Sequence, residues 1–321
     1  MDEISKYVNA FKKLKRGVTQ YGKAPHKVVM LLSVLQAFQN KLIYRNQIFI
    51  SPELILLFKS NWNELVATNH VCNFALPFWH LKGEQFWHLT ANAGYSNFIQ
   101  MKESVSGINQ LNNIVDFAYL DEALFELMMA EGSNLVLQDL LIKAYFPYYT
   151  SKLNSKILAT RNYIEKIESK ILNEPVVAYQ AEIKTLLEQK DEEEIFLRGS
   201  LFKRKIPQIY NNTCCISGMK IDATINVSMI DACHIVPFSE SYNDTITNGI
   251  ALCPNLHRAF DRGLIGINDD YTVIVSNKFV ESNAAIYQLK IFDGKRIMLP
   301  SFEKYFPHIE NLNQHRKRFN L

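Results

Sequence analysis

The sequence predicts an α+β protein of two domains joined by a helical linker. Three observations carry that expectation. Residues 1–150 interleave helically spaced apolar residues with one strand–turn–strand pattern, as a mixed helix/hairpin domain would. In the linker, residues 151–195, helical spacing runs over Ser151–Lys190, interrupted at Pro175 and followed by the acidic run Asp191–Glu194. Residues 196–321 carry short β-branched stretches around a proline-started helix, the order of a ββα unit. A chain of 321 residues has room for two ordinary cores.

In the first domain, Glu3–Leu14 and His26–Gln39 repeat apolar residues at helical spacing, with Pro25 at the start of the second helix. Pro52–Val66 is a third helix, with Ser51 as its N-cap. Leu76–Leu81 and Gln85–Leu89 alternate about Lys82–Gly83–Glu84, which predicts a hairpin. Helical stretches follow near Ser104–Ile114, Leu120–Met129 and Leu135–Ala144, ending at Tyr145–Phe146–Pro147. Ser151–Lys190 reads as two connecting helices. Val227–Val236 is a short strand, ended by Pro237, which has no N–H for the ladder. Ser239–Asn248 is a polar loop and Gly249–Cys253 a second strand. Pro254 then opens a helix over Asn255–Arg262, stopped by Gly263. Tyr271–Ser276 and Lys290–Leu299 complete the strands.

Composition narrows the function classes. Apolar residues make up 48% of the chain and charged residues 21%, the balance of a globular protein. Apolar runs are short, Val28–Leu32 among the longest, so no membrane span is expected. The opening MDEISKY has neither the basic nor the apolar region of a signal peptide, which predicts a cytoplasmic protein. A net charge of +3 is too mild to identify a polyanionic partner, but its distribution is uneven. Residues 1–30 hold Lys6, Lys12, Lys13, Lys15, Arg16, Lys23 and Lys27 against Asp2 and Glu3. Further clusters are Arg198 with Lys203–Lys205, and Arg316–Arg318. Such patches either neutralise phosphates or are solvated helix faces. The five cysteines, Cys72, Cys214, Cys215, Cys233 and Cys253, are odd in number, which argues against a disulfide framework. Ser217 stands where a C-x-x-C pair would end and no second pair exists, so structural zinc is not expected.

The chemistry concentrates in Asp231–Gly263. An imidazole near its ordinary pKa of about 6.5 takes a proton from water at neutral pH, so His234 is a candidate general base. His257 and Asp261 sit four residues apart on one helical face, a spacing that holds one metal, with Asp231 as a further candidate ligand. The Asn248 amide is suited to hydrogen-bond across the loop and fix the chain around His234. Arg262 offers a charge-assisted hydrogen bond to a phosphate.

The stretch DACHIVPFSESYNDTITNGIALCPNLHRAFDRG, with His234, Asn248 and His257 spaced by 14 and 9 residues, resembles the HNH nuclease signature. The resemblance is to the McrA-like restriction-enzyme group and covers about 202–321, including a closing helix in YFPHIENLNQHRKRFNL. It implies a ββα-metal domain that cuts the DNA backbone with one divalent metal, magnesium or manganese. His234 would be the base, Asn248 the central asparagine and His257 a metal ligand. Many HNH enzymes place an acidic residue or a histidine before the base; here that residue is Cys233, so Asp231 or Asp261 would complete the shell. The rival reading is a DNA-binding or partner-recruiting protein with a weakened nuclease site.

GKAPHKVVMLLSVL and LPFWHLKGEQFWHL are similar to the N-terminal module of a family of HNH restriction endonucleases. In that family the module reads phosphorothioate DNA, in which sulfur replaces a backbone oxygen. The matching positions are His26–Lys27 and Leu76–Pro77–Phe78; Lys27 stands where arginine is usual and Leu76 where an aromatic is usual. The resemblance implies double-stranded DNA as partner, with backbone modification, another modification or plain DNA all open. Cutting both strands with one site per chain implies a homodimer.

Overall fold

The structure, a computed structural model, describes residues 3–100, 104–149, 156–221, 228–282 and 287–321. The chain divides into two compact units, Met1–Glu165 with Glu192–Leu197, and Lys166–Asp191 with Arg198–Leu321. Among the described residues no helix is long and apolar enough to cross a membrane.

The first unit opens with α1 (Glu3–Lys12) and a small hairpin of β1 (Val18–Thr19) and β2 (Gly22–Lys23). Helix α2 (His26–Gln39) is buried on every face from Val28 to Phe38, and all but Ser33 and Gln36 of that stretch is apolar. It packs on α3 (Pro52–Leu65), whose first turn is capped by Ser51 Oγ accepting from Leu54 N at 3.2 Å. Where the two helices bury polar groups, Asn61 Nδ2 donates to Ser33 Oγ and Gln36 Oε1 at 2.9 and 2.8 Å. Then come α4 (Ala75–His80), β3 (Trp87–Ala91), α5 (Ser96–Gln100), α6 (Ile108–Ile114), β4 (Val115–Leu120), α7 (Glu122–Met129) and α8 (Glu131–Tyr145).

The hairpin expected from residues 76–89 does not form. Leu76–Leu81 lies in α4 and the turn after it, because Pro77 suits a first helical turn and Asn73 Oδ1 accepts from Leu76 N at 3.0 Å. Strand β3 pairs antiparallel with β4 instead, Trp87 opposite Leu120.

Between these elements and the C-terminal motif run α9 (Lys156–Asn173), α10 (Val176–Glu188) and α11 (Glu192–Ile209). The second unit then holds β5 (Asp231–His234), α12 (Phe238–Ser241), β6 (Gly249–Leu252), α13 (Pro254–Asp261), β7 (Ile265–Ile267), β8 (Val273–Val275) and α14 (Ile309–Phe319). Residue 227, the first of the predicted strand 227–236, lies outside the described residues. The polar loop before β6 carries the short α12 and a 3-10 turn at Ile246–Asn248. Lys290–Leu299 is no strand: Leu289–Phe292 turns, Gly294 at φ +71° redirects the chain, and after it Arg296 makes one isolated bridge to Thr272. The core of this unit is drawn from Leu201, Phe202 and Ile206 of α11, all of β6, and Leu256 and Phe260 of α13.

Candidate active site

Strand β5 delivers His234 at its end, opposite Gly249 of β6. The imidazole lies flat on Phe202 of α11, with ring centroids 4.0 Å apart and planes at 13°. Gly249 makes that approach possible: a Cβ there would overlap Ile206 Cδ1 and stand 2.8 Å from Phe202 Cζ. His234 Nε2 is 2.8 Å from Asp244 Oδ1, and the Asp244 side chain is 2% exposed. A carboxylate can only accept, so Nε2 carries the proton and Nδ1 keeps the lone pair.

Asn248 is fully buried and serves the backbone. Its Oδ1 accepts from Val236 N at 3.0 Å, and its Nδ2 donates to Val236 O and Asn243 O, both at 2.9 Å. One amide therefore ties the exit of β5 to the loop that carries Asp244. Asn243 adds a local brace, its Oδ1 accepting from Thr245 N at 2.9 Å.

The other side of the site comes from α13. Pro254 stands in the first turn, and His257 and Asp261 share a face. His257 Nδ1 lies 3.1 Å from Asp231 Oδ2, and Nε2 lies 3.5 Å from Asp261 Oδ2. Cys233 is fully buried, its Sγ 3.9 Å from Asp261 Oδ1. Burial first, then the Asp261 carboxylate, push this thiol well above its usual pKa. Cys233, His257 and Asp261 bring one ligand atom each to within 4.8 Å of one another, a nitrogen, oxygen and sulfur set that fits a divalent cation. Asp231 borders that set through His257.

A groove of about 320 Å³ is lined in part by Lys203, His234, His257, Asp261 and Arg318. Arg318, on α14, pairs with Glu240 at 2.8 Å on the surface. Arg262 is exposed at the end of α13 and does not line the groove. His315 is structural: its ring stacks on Phe260 at 3.7 Å, and Nε2 donates to Phe260 O at 2.9 Å. Burial pulls its pKa down to about 4. Gly263 has φ +64° and lies against Phe319, where a Cβ would clash with the ring, so α14 closes directly over the end of α13.

Reasoning from sequence missed Asp244 and Phe202, and it named Lys203 and Arg318 as members of basic clusters without bringing them to this groove. Asp244 sits among residues of like polarity, and the others stand on helices distant in sequence.

In the first unit, His26 Nε2 bonds to Val71 O at 2.8 Å, and its ring lies 4.4 Å from Trp62. Burial lowers its pKa. Lys27 Nζ is 2.7 Å from Glu84 Oε1, with the two side chains 12% and 8% exposed. Pro77 and Phe78 are buried, Phe78 between Phe74 and Trp87, while Leu76 keeps partial exposure. The predicted set is thus one internal ion pair, two buried residues and two half-buried ones, His26 and Leu76.

Residues 214–268 match a family model described as HNH endonuclease. This stretch is an HNH endonuclease domain. It contains Asp231, His234, Asp244, Asn248, His257 and Asp261, and HNH nucleases generally use a divalent metal. Phe202, stacked on His234, and Lys203 and Arg318, lining the groove, lie outside the matched range. No curated protein matches the chain. Among solved structures, one described as "Modification dependent TagI restriction endonuclease" is similar at 18% identity, with a TM-score of 0.28. The likeness covers 37% of this chain and 38% of that one.

Proposed function

We propose that this chain is a metal-dependent endonuclease that hydrolyses phosphodiester bonds of double-stranded DNA, with His234 as general base. One observation carries the reading. Two imidazoles line one groove, His234 fixed through Nε2 by Asp244 and His257 fixed through Nδ1 by Asp231. On this reading Nδ1 of His234 takes the proton of the attacking water. A bound divalent ion would neutralise charge growing on the phosphate and the leaving oxygen. His257 and Asp261 are the donors on α13, and Lys203 and Arg318 supply cations for the flanking phosphates. Asn248 holds the backbone of the site and does not touch substrate.

The rest of the assignment extends this core. Residues 1–150 serve as the recognition domain, 151–195 as linker and 196–321 as nuclease domain. Supporting a DNA-reading role, Lys12, Lys13, Lys15 and Lys23 are exposed within the first 30 residues. A restriction or defence role on modified DNA, phosphorothioated DNA included, rests on the motif resemblance in 22–35 and 76–89. Cutting both strands takes two copies, so a homodimer belongs to the proposal.

The test is parallel digestion of phosphorothioated, methylated and unmodified plasmids, with and without chelator. Metal-dependent nicking or linearisation is expected from the native chain. His234→Ala should lose about 10²–10⁴-fold in rate while binding DNA within a few-fold of native. Cleavage that persists in excess chelator, or in the His234→Ala chain, would end the reading.

A further inference from the structure

The structure assigns Cys233 as a thiolate ligand of the metal centre, making it a site for a borderline cation of the zinc and cobalt class rather than for magnesium. This rests on the metal-dependent reading above and goes beyond it in naming the metal class. The argument begins with strand geometry. Residues two apart on β5 share a face, so Asp231 and Cys233 both meet α13 while His234 lies on the opposite side. Each finds a partner there, Asp231 at His257 and Cys233 at Asp261.

The His257 ring fixes which of these groups are inner donors. Asp231 can only accept, so Nδ1–H of His257 points to it at 3.1 Å. The lone pair is then on Nε2, the nitrogen 3.5 Å from Asp261 Oδ2. A ligating imidazole commonly has its second nitrogen held by a carboxylate in this way. Asp231 is therefore the outer partner, and the inner donors are Cys233 Sγ, His257 Nε2 and an Asp261 oxygen. One ligand atom each of Cys233, His257 and Asp261 lies within 4.8 Å of the others, so a small side-chain movement brings them to bonds of about 2.0–2.3 Å from a single ion.

The donor set then selects the ion. Magnesium takes oxygen ligands in near-ideal octahedra and discriminates against sulfur. Zinc and cobalt accept thiolate, imidazole and carboxylate together, and three protein donors leave a fourth position open. Cys233 has only weak alternatives, Asp261 at 3.9 Å and the His234 carbonyl at 3.5 Å. On binding, Cys233 releases its thiol proton to solvent and a sulfur–metal bond takes the place of S–H; nothing is oxidised.

Cobalt(II) added to the full-length, metal-stripped chain reads this directly. Expected are the visible absorption of tetrahedral cobalt and a thiolate-to-cobalt charge-transfer band in the near ultraviolet. Cys233→Ser should abolish the charge-transfer band, and Cys253→Ser, which removes a thiol outside the site, should leave it intact. Asp231→Asn should keep the band but weaken cobalt affinity about 10–100-fold. Cys233→Asp, which supplies an oxygen donor at the same place, should shift the preference towards magnesium and manganese, measured as binding by calorimetry. It also separates loss of a ligand from loss of fold. Cobalt bound without the band, a band that survives Cys233→Ser, or no cobalt binding would each overturn the assignment. Magnesium-dependent cleavage without the band would overturn it and leave the nuclease reading standing; the band without any cleavage would do the reverse.

Discussion

A histidine accepts a proton only through the nitrogen that carries none, and at His234 the Asp244 carboxylate has taken Nε2. The geometry therefore makes Asp244 a positioning residue. Asp244→Asn can present its amide N–H to the ring, which favours the opposite tautomer and turns the lone pair inward. The expected outcome is a fall in kcat within the range a general base contributes, about 10²–10⁴-fold, with KM nearly unchanged. Steady-state cleavage kinetics check it, and an unchanged kcat would show that the tautomer is irrelevant. Lys27 teaches the opposite lesson. Its ammonium is held inside the unit by Glu84, so its removal strands a buried carboxylate. Lys27→Ala should lose stability, about 3–5 kcal/mol by denaturant unfolding, and Lys27→Met with Glu84→Leu should recover most of it. Neither role was legible in the sequence. The segment 239–248 holds serine, asparagine, aspartate and threonine side by side, and nothing local marks Asp244 as the one that reaches a ring ten residues away. Lys27 looks like a free cation until Glu84 folds back onto it.

At the level of elements, β5, β6 and α13 were readable because each is defined by residues within it: Pro237 ends one strand, Pro254 starts the helix, Gly263 stops it. Their neighbours were not, since Phe202 and Phe319 meet His234 and Gly263 only through tertiary packing. The 76–89 segment was misread because alternating aromatic residues fit a strand pattern as well as a short buried helix; Pro77 and the Asn73 cap decided for the helix. The docking of α14 on α13 yields a pH prediction. His315 titrates at about 4 when folded against about 6.5 in an unfolded chain. The unfolded state thus binds the extra proton between those values. The stabilisation is complete above pH 6.5 and is lost as pH falls towards 4, on the order of 3 kcal/mol in all. His315→Gln keeps a donor for the Phe260 carbonyl but cannot be protonated. Urea denaturation from pH 7 to pH 4 should show a shallower loss for that variant than for the native chain. Parallel curves would remove His315 as the titrating group.

For the molecule as a whole, catalysis and recognition are separable in their physics, and the salt dependence tells them apart. Sequence-independent attraction should come from the exposed lysines near the N-terminus. Lys12→Ala and Lys13→Ala should each lower the salt slope of DNA binding by about one charge, whereas Lys27→Ala, whose charge is already paired, should not. Sulfur reading needs a different contact. Sulfur is larger, more polarizable and less hydrated than oxygen, so it gains from an apolar neighbour, and of the predicted trio Leu76 alone keeps partial exposure. Covering about 50 Å² of apolar surface at about 25 cal/mol/Å² corresponds to roughly tenfold in affinity. The full-length His234→Ala chain should therefore bind a duplex with one sulfur-substituted phosphate about tenfold more tightly than its oxygen counterpart. Leu76→Asn, a neutral polar residue at a half-buried position, should erase that preference while leaving the salt slope in place. Equal affinity of the unaltered recognition surface for both duplexes, at matched sequence and salt, would remove sulfur as the ligand. The exposed lysines would then be the basis of binding, and the cleavage chemistry at His234 would be unaffected.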